Sequence, residues 1–255
     1  MRLKEAAGWN QTDEDWARLL RLEPEGCFGI DVDGSLVSTA TVISYGRELA
    51  WVGMVLTSPE HRGRGLARRL FAHCLEYADR NRVRWVKLDA TDMGQGLYAQ
   101  HGFDVECEIE RLLRPPGSST ATDAVETGWS PALDRFGAGR TALLQDLARI
   151  ESAMVAGSGF AMGRPGSRAT YFGPCVSESP STAAKLLDWF LARHGNEPVA
   201  WDVLPANSGA VALAHSRGFA PARRLVRMAR RGPGVDGPAP ENAPAIYATA
   251  GFEYG

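Results

Sequence analysis

The sequence lacks the features that would place it in several common classes. Its four cysteines, Cys27, Cys74, Cys107 and Cys175, are scattered with no Cys-x-x-Cys pair, which excludes a zinc ribbon or a thioredoxin-type motif and makes reduced structural thiols the expected state. The five histidines show no metal-ligand spacing, so no metal is expected. No apolar run approaches a membrane span, and the opening MRLKEAAGWNQTDEDW has no apolar signal core. A cytoplasmic location without a membrane partner is the expectation. Charge of one sign is also missing: a formal net charge of −2 leaves no basic excess, which argues against a nucleic-acid partner. The chain does have bulk, with 255 residues of which 44% are hydrophobic and 23% charged, enough for one large core or two modest ones.

The organising stretch runs from Met54 to Ala78, MVLTSPEHRGRGLARRLFAHCLEYA. It reads as an apolar strand end, a tight basic glycine turn and an amphipathic helix. Gly63 and Gly65 carry no Cβ, so the backbone there can take unusual dihedrals and approach an anion closely. The first N–H groups of the helix lack intrahelical partners and, with the helix dipole, direct positive character at a ligand. The dipole supplies roughly 0.3–1 kcal/mol per charge, whereas micromolar binding needs about 8 kcal/mol. Other groups must share the work: Arg62, Arg64 and Arg68 provide charge, and the preceding strand can pair with an extended, amide-containing arm. The turn itself is neither a dinucleotide fingerprint nor a Walker loop.

Around this stretch the first half reads in order. Thr12 and Asp15 resemble a capping box opening a helix with Trp16, Leu19 and Leu20 on one face. Phe28, Ile30 and Val32 alternate into an Asp33-Gly34 hairpin, with Leu36 to Ser44 returning and Trp51 to Leu56 as the third strand. Leu66, Leu70, Phe71, Cys74, Leu75 and Ala78 form an apolar stripe that belongs to the core. Val83 to Ala90 is a strand parallel to the one before the turn, Gly96 to His101 a short helix, and Phe103 to Leu113 a closing strand. Arg62-Gly63-Arg64-Gly65-Leu66-Ala67 resembles the acetyl-CoA signature of the GNAT superfamily of N-acetyltransferases, and Leu97-Tyr98-Ala99-Gln100-His101-Gly102-Phe103 resembles its Leu-Tyr-x-x-x-Gly-Phe segment.

After the Pro/Gly/Ser/Thr-rich stretch Arg114 to Pro131, the order of elements repeats. A helix carries Arg140, Leu143, Leu144 and Leu147, strands follow at Met154 to Ala156, Gly159 to Gly163 and Arg168 to Val176, a helix at Thr182 to Arg193, and a strand at Pro198 to Leu204. Arg217-Gly218-Phe219 echoes His101-Gly102-Phe103, and Trp201-Asp202 echoes Leu88-Asp89. The second copy has no glycine turn, no arginines at the equivalent place, and Ala214 where the first has Tyr98. Only the first copy is expected to bind acyl-CoA. The arrangement resembles a bacterial group of acetyltransferases with a shared ending.

The fold expected is α/β: two tandem GNAT-type domains, each a mixed, mainly antiparallel sheet with a splayed parallel strand pair and flanking helices. The expected division is 1–115 catalytic, 116–131 linker, 132–230 degenerate, and 231–255 a tail that docks. The resemblance implies acetyl-CoA as cosubstrate, held by Val55, Leu56 and Thr57 on its pantetheine arm and by Arg62, Gly63, Arg64, Gly65, Leu66, Ala67 and Arg68 at its phosphates. It also implies direct transfer of an acetyl group to a small-molecule amine, with Trp9, Asn10 and Gln11 contacting that acceptor. An amine of pKa about 10.4 is protonated at neutral pH, which costs roughly 4.6 kcal/mol to undo, so a base or water chain is required. Asp89 is the first base candidate and Glu60 the second, although Asp89 equally reads as a structural acceptor, since Asp202 persists in the second copy. Tyr98 takes the general-acid position, its other reading being a core aromatic. The competing function is a non-catalytic acyl-CoA-binding protein with the second domain as interaction module. A docked tail brings Tyr247 and Glu253 into reach of one of the two clefts. The acceptor's identity, the acyl preference and the oligomeric state have no signal in the sequence.

Overall fold

A computed structural model describes residues 3, 7–118, 125–240 and 243–255. Residues 119–124 of the expected linker and 241–242 of the expected tail lie outside the described residues.

The first half holds α1 (Asp13–Leu22), β1 (Cys27–Val32), β2 (Ser35–Tyr45), β3 (Leu49–Thr57), α2 (Leu66–Arg80), β4 (Trp85–Ala90), α3 (Asp92–Ala99) and β5 (Asp104–Arg114). The second holds β6 (Glu126–Thr127), α4 (Thr141–Ala148), β7 (Ser152–Val155), β8 (Gly159–Arg164), β9 (Thr170–Ser177), α5 (Pro180–His194), β10 (Val199–Val203), α6 (Ser208–Ser216), β11 (Ala220–Arg231) and β12 (Ile246–Ala248). The Thr12 and Asp15 side chains each bond the other's backbone N–H, so the capping box opens α1. Asp33 and Gly34 both sit at positive φ, as a tight hairpin turn matched to strand twist requires.

Two mixed sheets join into one, in the order β1-β2-β3-β4-β11-β5-β10-β9-β8-β7-β6, with β12 added on β9. Among the described residues only β3–β4 and β9–β10 are parallel. The closing strands have changed places: β5 pairs with β10 of the second half, while β11 pairs with β4 of the first. The two exchanged strands lie antiparallel to each other at the centre. Each exchange covers an edge that would otherwise be open. A cross-strand ion pair fixes each register: Arg227 lies opposite Asp89 and Arg111 opposite Asp202, both held bidentately by their carboxylates. The largest apolar cluster accordingly belongs to both halves, packing Leu19, Trp51 and Met54 with Phe136, Leu144, Phe160 and Leu204. Separate clusters lie under α2 and α5.

Each parallel pair is short. β3 and β4 pair only through Leu49–Trp51 and Trp85–Lys87 before they part. A bulge sets β3 off just beyond, with Met54 at φ 50 and Thr39 Oγ1 donating to Met54 O at 2.8 Å. In the second half β9 and β10 also pair over three positions and part at a bulge beside Gly173-Pro174. There the gap is filled by the chain itself. Ile246 and Ala248 of β12 pair with Val176 and Cys175. Trp201 Nε1 donates to Tyr247 O, Asn207 Nδ2 to Ile246 O, and Thr249 N to Asp202 O. The segment then crosses to the first half, where Trp51 Nε1 bonds Phe252 O and Tyr45 Oη bonds Tyr254 O.

A Cβ at Gly173 would lie 2.2 Å from Thr249 O. Gly173→Val should therefore push the tail out of the gap, lowering stability by about 1–3 kcal/mol and reducing activity through the wall the tail builds. A melt and a rate both equal to those of the parent chain would contradict this.

Candidate active site

Where β3 leaves β4, a cavity of about 500 Å³ opens between Val55, Leu56 and Thr57 of β3, the start of α2, and α3. Gly63 and Gly65 have φ of 72° and 73°, and nothing would lie within 4 Å of a Cβ at either. The glycines thus present bare backbone to open space. Gly65 caps α2 with no side-chain hydrogen bond, leaving the first N–H groups of that helix for a ligand. In the second half Ser179 accepts from Thr182 N and caps α5 internally. The half without a glycine turn thus satisfies the start of its helix with its own side chain.

Of the residues expected at the phosphates and pantetheine, Val55, Leu56, Thr57, Arg62, Gly63, Gly65, Leu66, Ala67 and Arg68 line this cavity. Arg64 does not, and is exposed. Arg62 Nε reaches Thr57 O and Arg68 bonds Gln100, so both are anchored close to the mouth.

Tyr98 projects from α3 into the same space. Its ring packs against Phe71 at 4.8 Å between centroids and near Phe103 at 6.3 Å. Gly94, one turn earlier, makes room: a Cβ there would stand 2.8 Å from Tyr98 Cε2. The hydroxyl has no hydrogen-bond partner among the described residues. Burial, then the neighbouring Cys74, push its pKa up to about 12, so the phenol keeps its proton through the neutral range.

A smaller cavity of about 80 Å³ continues inward, lined among others by Trp9, Gln11, Val55, Asp89, Tyr98, Arg111, Arg223, Phe252 and Glu253. Trp9, Val55, Thr91, Tyr98 and Arg223 border both cavities, so the junction lies at Tyr98. The three residues expected to meet the acceptor separate. Trp9 and Gln11 face the cleft, while Asn10 turns away to bracket the second half, accepting from Arg168 N and Ala169 N and donating to Ala169 O. An extended segment sends alternate side chains to opposite sides.

The base candidates also part company. Asp89 reaches the cleft, but both its oxygens are taken by Arg227 and its side chain is fully buried; burial pushes its carboxyl up while Arg227 pulls it back. Asp202 is held in the same way by Arg111 in the half without a glycine turn. Glu60 sits in a short 3₁₀ turn, exposed, and borders neither cavity. Glu253 accepts from Arg164 Nη2 and from Gln11 Nε2, each at 2.7 Å, whereas Tyr247 stays with the second half beside Trp201. The tail therefore serves both clefts. Arg111, Arg223 and Phe252 belong to no motif and are brought in by the strand exchange and the docked tail. Among the described residues no three His, Cys, Asp or Glu side chains are grouped to hold a metal ion, and no helix is long and apolar enough to cross a membrane.

The class this geometry defines agrees with comparison to known proteins. A model of the GNAT acetyltransferase family matches residues 3–103 and a GNAT acetyltransferase domain model matches residues 132–243. The chain belongs to the GNAT superfamily, in a tandem arrangement, and that membership supports acyltransferase activity. YitH of Bacillus subtilis, an uncharacterised N-acetyltransferase, is 27% identical over 210 residues, covering 73% of this chain and 72% of its own. A holothin acyltransferase from Pseudoalteromonas is 29% identical over 108 residues, 42% of this chain and 36% of that protein. In fold, a candidate acetyltransferase from Pyrococcus horikoshii superposes over 99% of this chain and 89% of its own, with TM-score 0.83 and 20% identity. A tandem GNAT protein from the clavulanic acid biosynthesis pathway covers 87% of this chain and 88% of its own, with TM-score 0.57 and 16% identity.

Proposed function

We propose that the chain transfers an acetyl group from acetyl-CoA to the amine of a small molecule by direct attack, using the cleft of the first half alone. One observation carries this reading: the open side of β3, the uncapped start of α2 and the Tyr98 phenol all border one cavity. Past the end of the β3–β4 pairing, Val55, Leu56 and Thr57 offer their edge away from β2 to the amide-containing arm, as an added strand would meet it. Gly63, Gly65 and the first N–H groups of α2 take the pyrophosphate, supported by Arg62 and Arg68. A backbone N–H of the bulged stretch near Leu56 meets the oxyanion. Tyr98 protonates the departing thiolate. Asp89 acts as a strand clamp and Glu60 stays outside, so the amine's proton leaves toward water at the mouth shared by the two cavities.

The test is release of CoA thiol from acetyl-CoA across a panel of small amines, with the product mass checked for an added acetyl group. Binding of acetyl-CoA with no amine turned over would favour the acyl-CoA-binding alternative. Valine at Gly63 and Gly65 places branched side chains where the ligand's backbone contacts belong, at φ values that disfavour them. Acetyl-CoA affinity should fall at least tenfold by calorimetry, and retention of parent affinity would remove the turn from the binding site.

A further inference from the structure

The rim shared by the two cavities carries a solvent-exposed cation, Arg223, with no ion-pair partner among the described residues. Arg223 of β11 lies directly opposite Arg111 of β5, and both border the inner cavity. Like charges facing each other across a strand pair are destabilising. The carboxylate whose charge reaches Arg223, Asp202, gives both of its oxygens to Arg111 at 2.6 Å. Arg223 has no hydrogen bond or ion pair among the described residues. The other charged groups on the wall are matched: Asp89 by Arg227, and Glu253 by Arg164. Desolvation on the wall, and then the charge of Arg111, push the Arg223 pKa below the ordinary arginine value.

The duplication supplies an internal control. The approximate twofold between β11 and β5 exchanges the pair Arg223–Arg111 with the pair Cys107–Arg227. In the half that keeps its glycine turn the position holds an arginine; in the half whose gap is filled by β12 the same position holds a cysteine. The clamp arginines recur in both halves, and the extra cation does not. It follows the cleft that carries Tyr98.

Resting on the acyl-transfer reading, we propose that Arg223 binds an anionic group of the acceptor, so that the acceptor is a small amine carrying a carboxylate, an amino acid or a close relative. Arg223 stands at the Tyr98 junction and borders both cavities, whereas the glycine turn borders only the outer one, and a carboxylate accepted there would complete the ion pairing of the wall. The surplus positive charge would also favour the neutral, nucleophilic form of an amine a few atoms away.

The experiment compares small amino acids with the amines that lack only the carboxylate, using the full chain. Binding to the protein saturated with a dead-end acyl-CoA analogue is measured by calorimetry, and CoA release with acetyl-CoA is measured in parallel. Amino acids should bind and turn over at least tenfold better than their decarboxylated partners. Arg223→Gln should erase that preference through KM, and Arg223→Lys should restore part of it, with acetyl-CoA affinity unchanged. Equal or better binding of the decarboxylated amines overturns the proposal. So does an Arg223→Gln variant that loses acetyl-CoA affinity, which would assign the cation to the donor's phosphates. Selective binding of amino acids without CoA release would uphold the anion site and refute the acyl-transfer reading instead.

Discussion

Tyr98→Phe should leave acetyl-CoA affinity within about twofold of the parent and lower turnover about a hundredfold or more, the usual range for losing a positioned proton donor. The ring contacts to Phe71 and Phe103 need no hydroxyl, so the melt should move little. That combination separates the acid from a packing role. Because burial holds the phenol's pKa near 12, the parent enzyme should keep its donor protonated through the neutral and mildly alkaline range. Any fall in rate there must come from another group. Stopped-flow single turnovers, which isolate chemistry from product release, are the measurement. A variant with an undiminished chemical step would return Tyr98 to the core.

The second large effect is on stability. Arg227→Ala leaves the Asp89 carboxylate buried with no partner, and removing one member of a buried pair typically costs about 3–5 kcal/mol. Arg227 also lies over the Trp51 ring at 4.6 Å. Since β11 completes the sheet of the first half, the loss should appear as one cooperative transition at lower denaturant, with no folded first half persisting. The double variant Asp89→Leu with Arg227→Met replaces the pair by apolar groups and should recover much of the stability. It also asks what Asp89 is for: a clamp permits turnover to recover with the fold, whereas a catalytic base would leave the refolded double variant inactive.

Much of this could be read from residues near one another in the chain. Thr12 with Asp15, Asp33-Gly34, the basic glycine turn and the Leu97–Phe103 segment each specify a local geometry, and each half's order of elements followed from them. What could not be read is which strand lies beside which. Alternation in β5 and β11 fits a neighbour from either half equally well, and the partner of Asp89 is 138 residues away. The cleft inherits that blindness. Arg111 and Arg223 reach it only through the exchange, and Phe252 through a tail whose apolar character indicated docking but not where. Asn10 shows the opposite failure: three adjacent residues were assigned one wall, and backbone alternation sent the middle one elsewhere.

The exchange of β5 and β11 also imposes an order on synthesis. As β4 leaves the ribosome, the strand that will cover its second edge has not been made, and the interval is most of the second half. Pairings so distant in sequence form late, and unpaired edges in the meantime invite aggregation. A premature stop codon upstream of β11 would cost the cell the completed sheet of the first half as well as the second half.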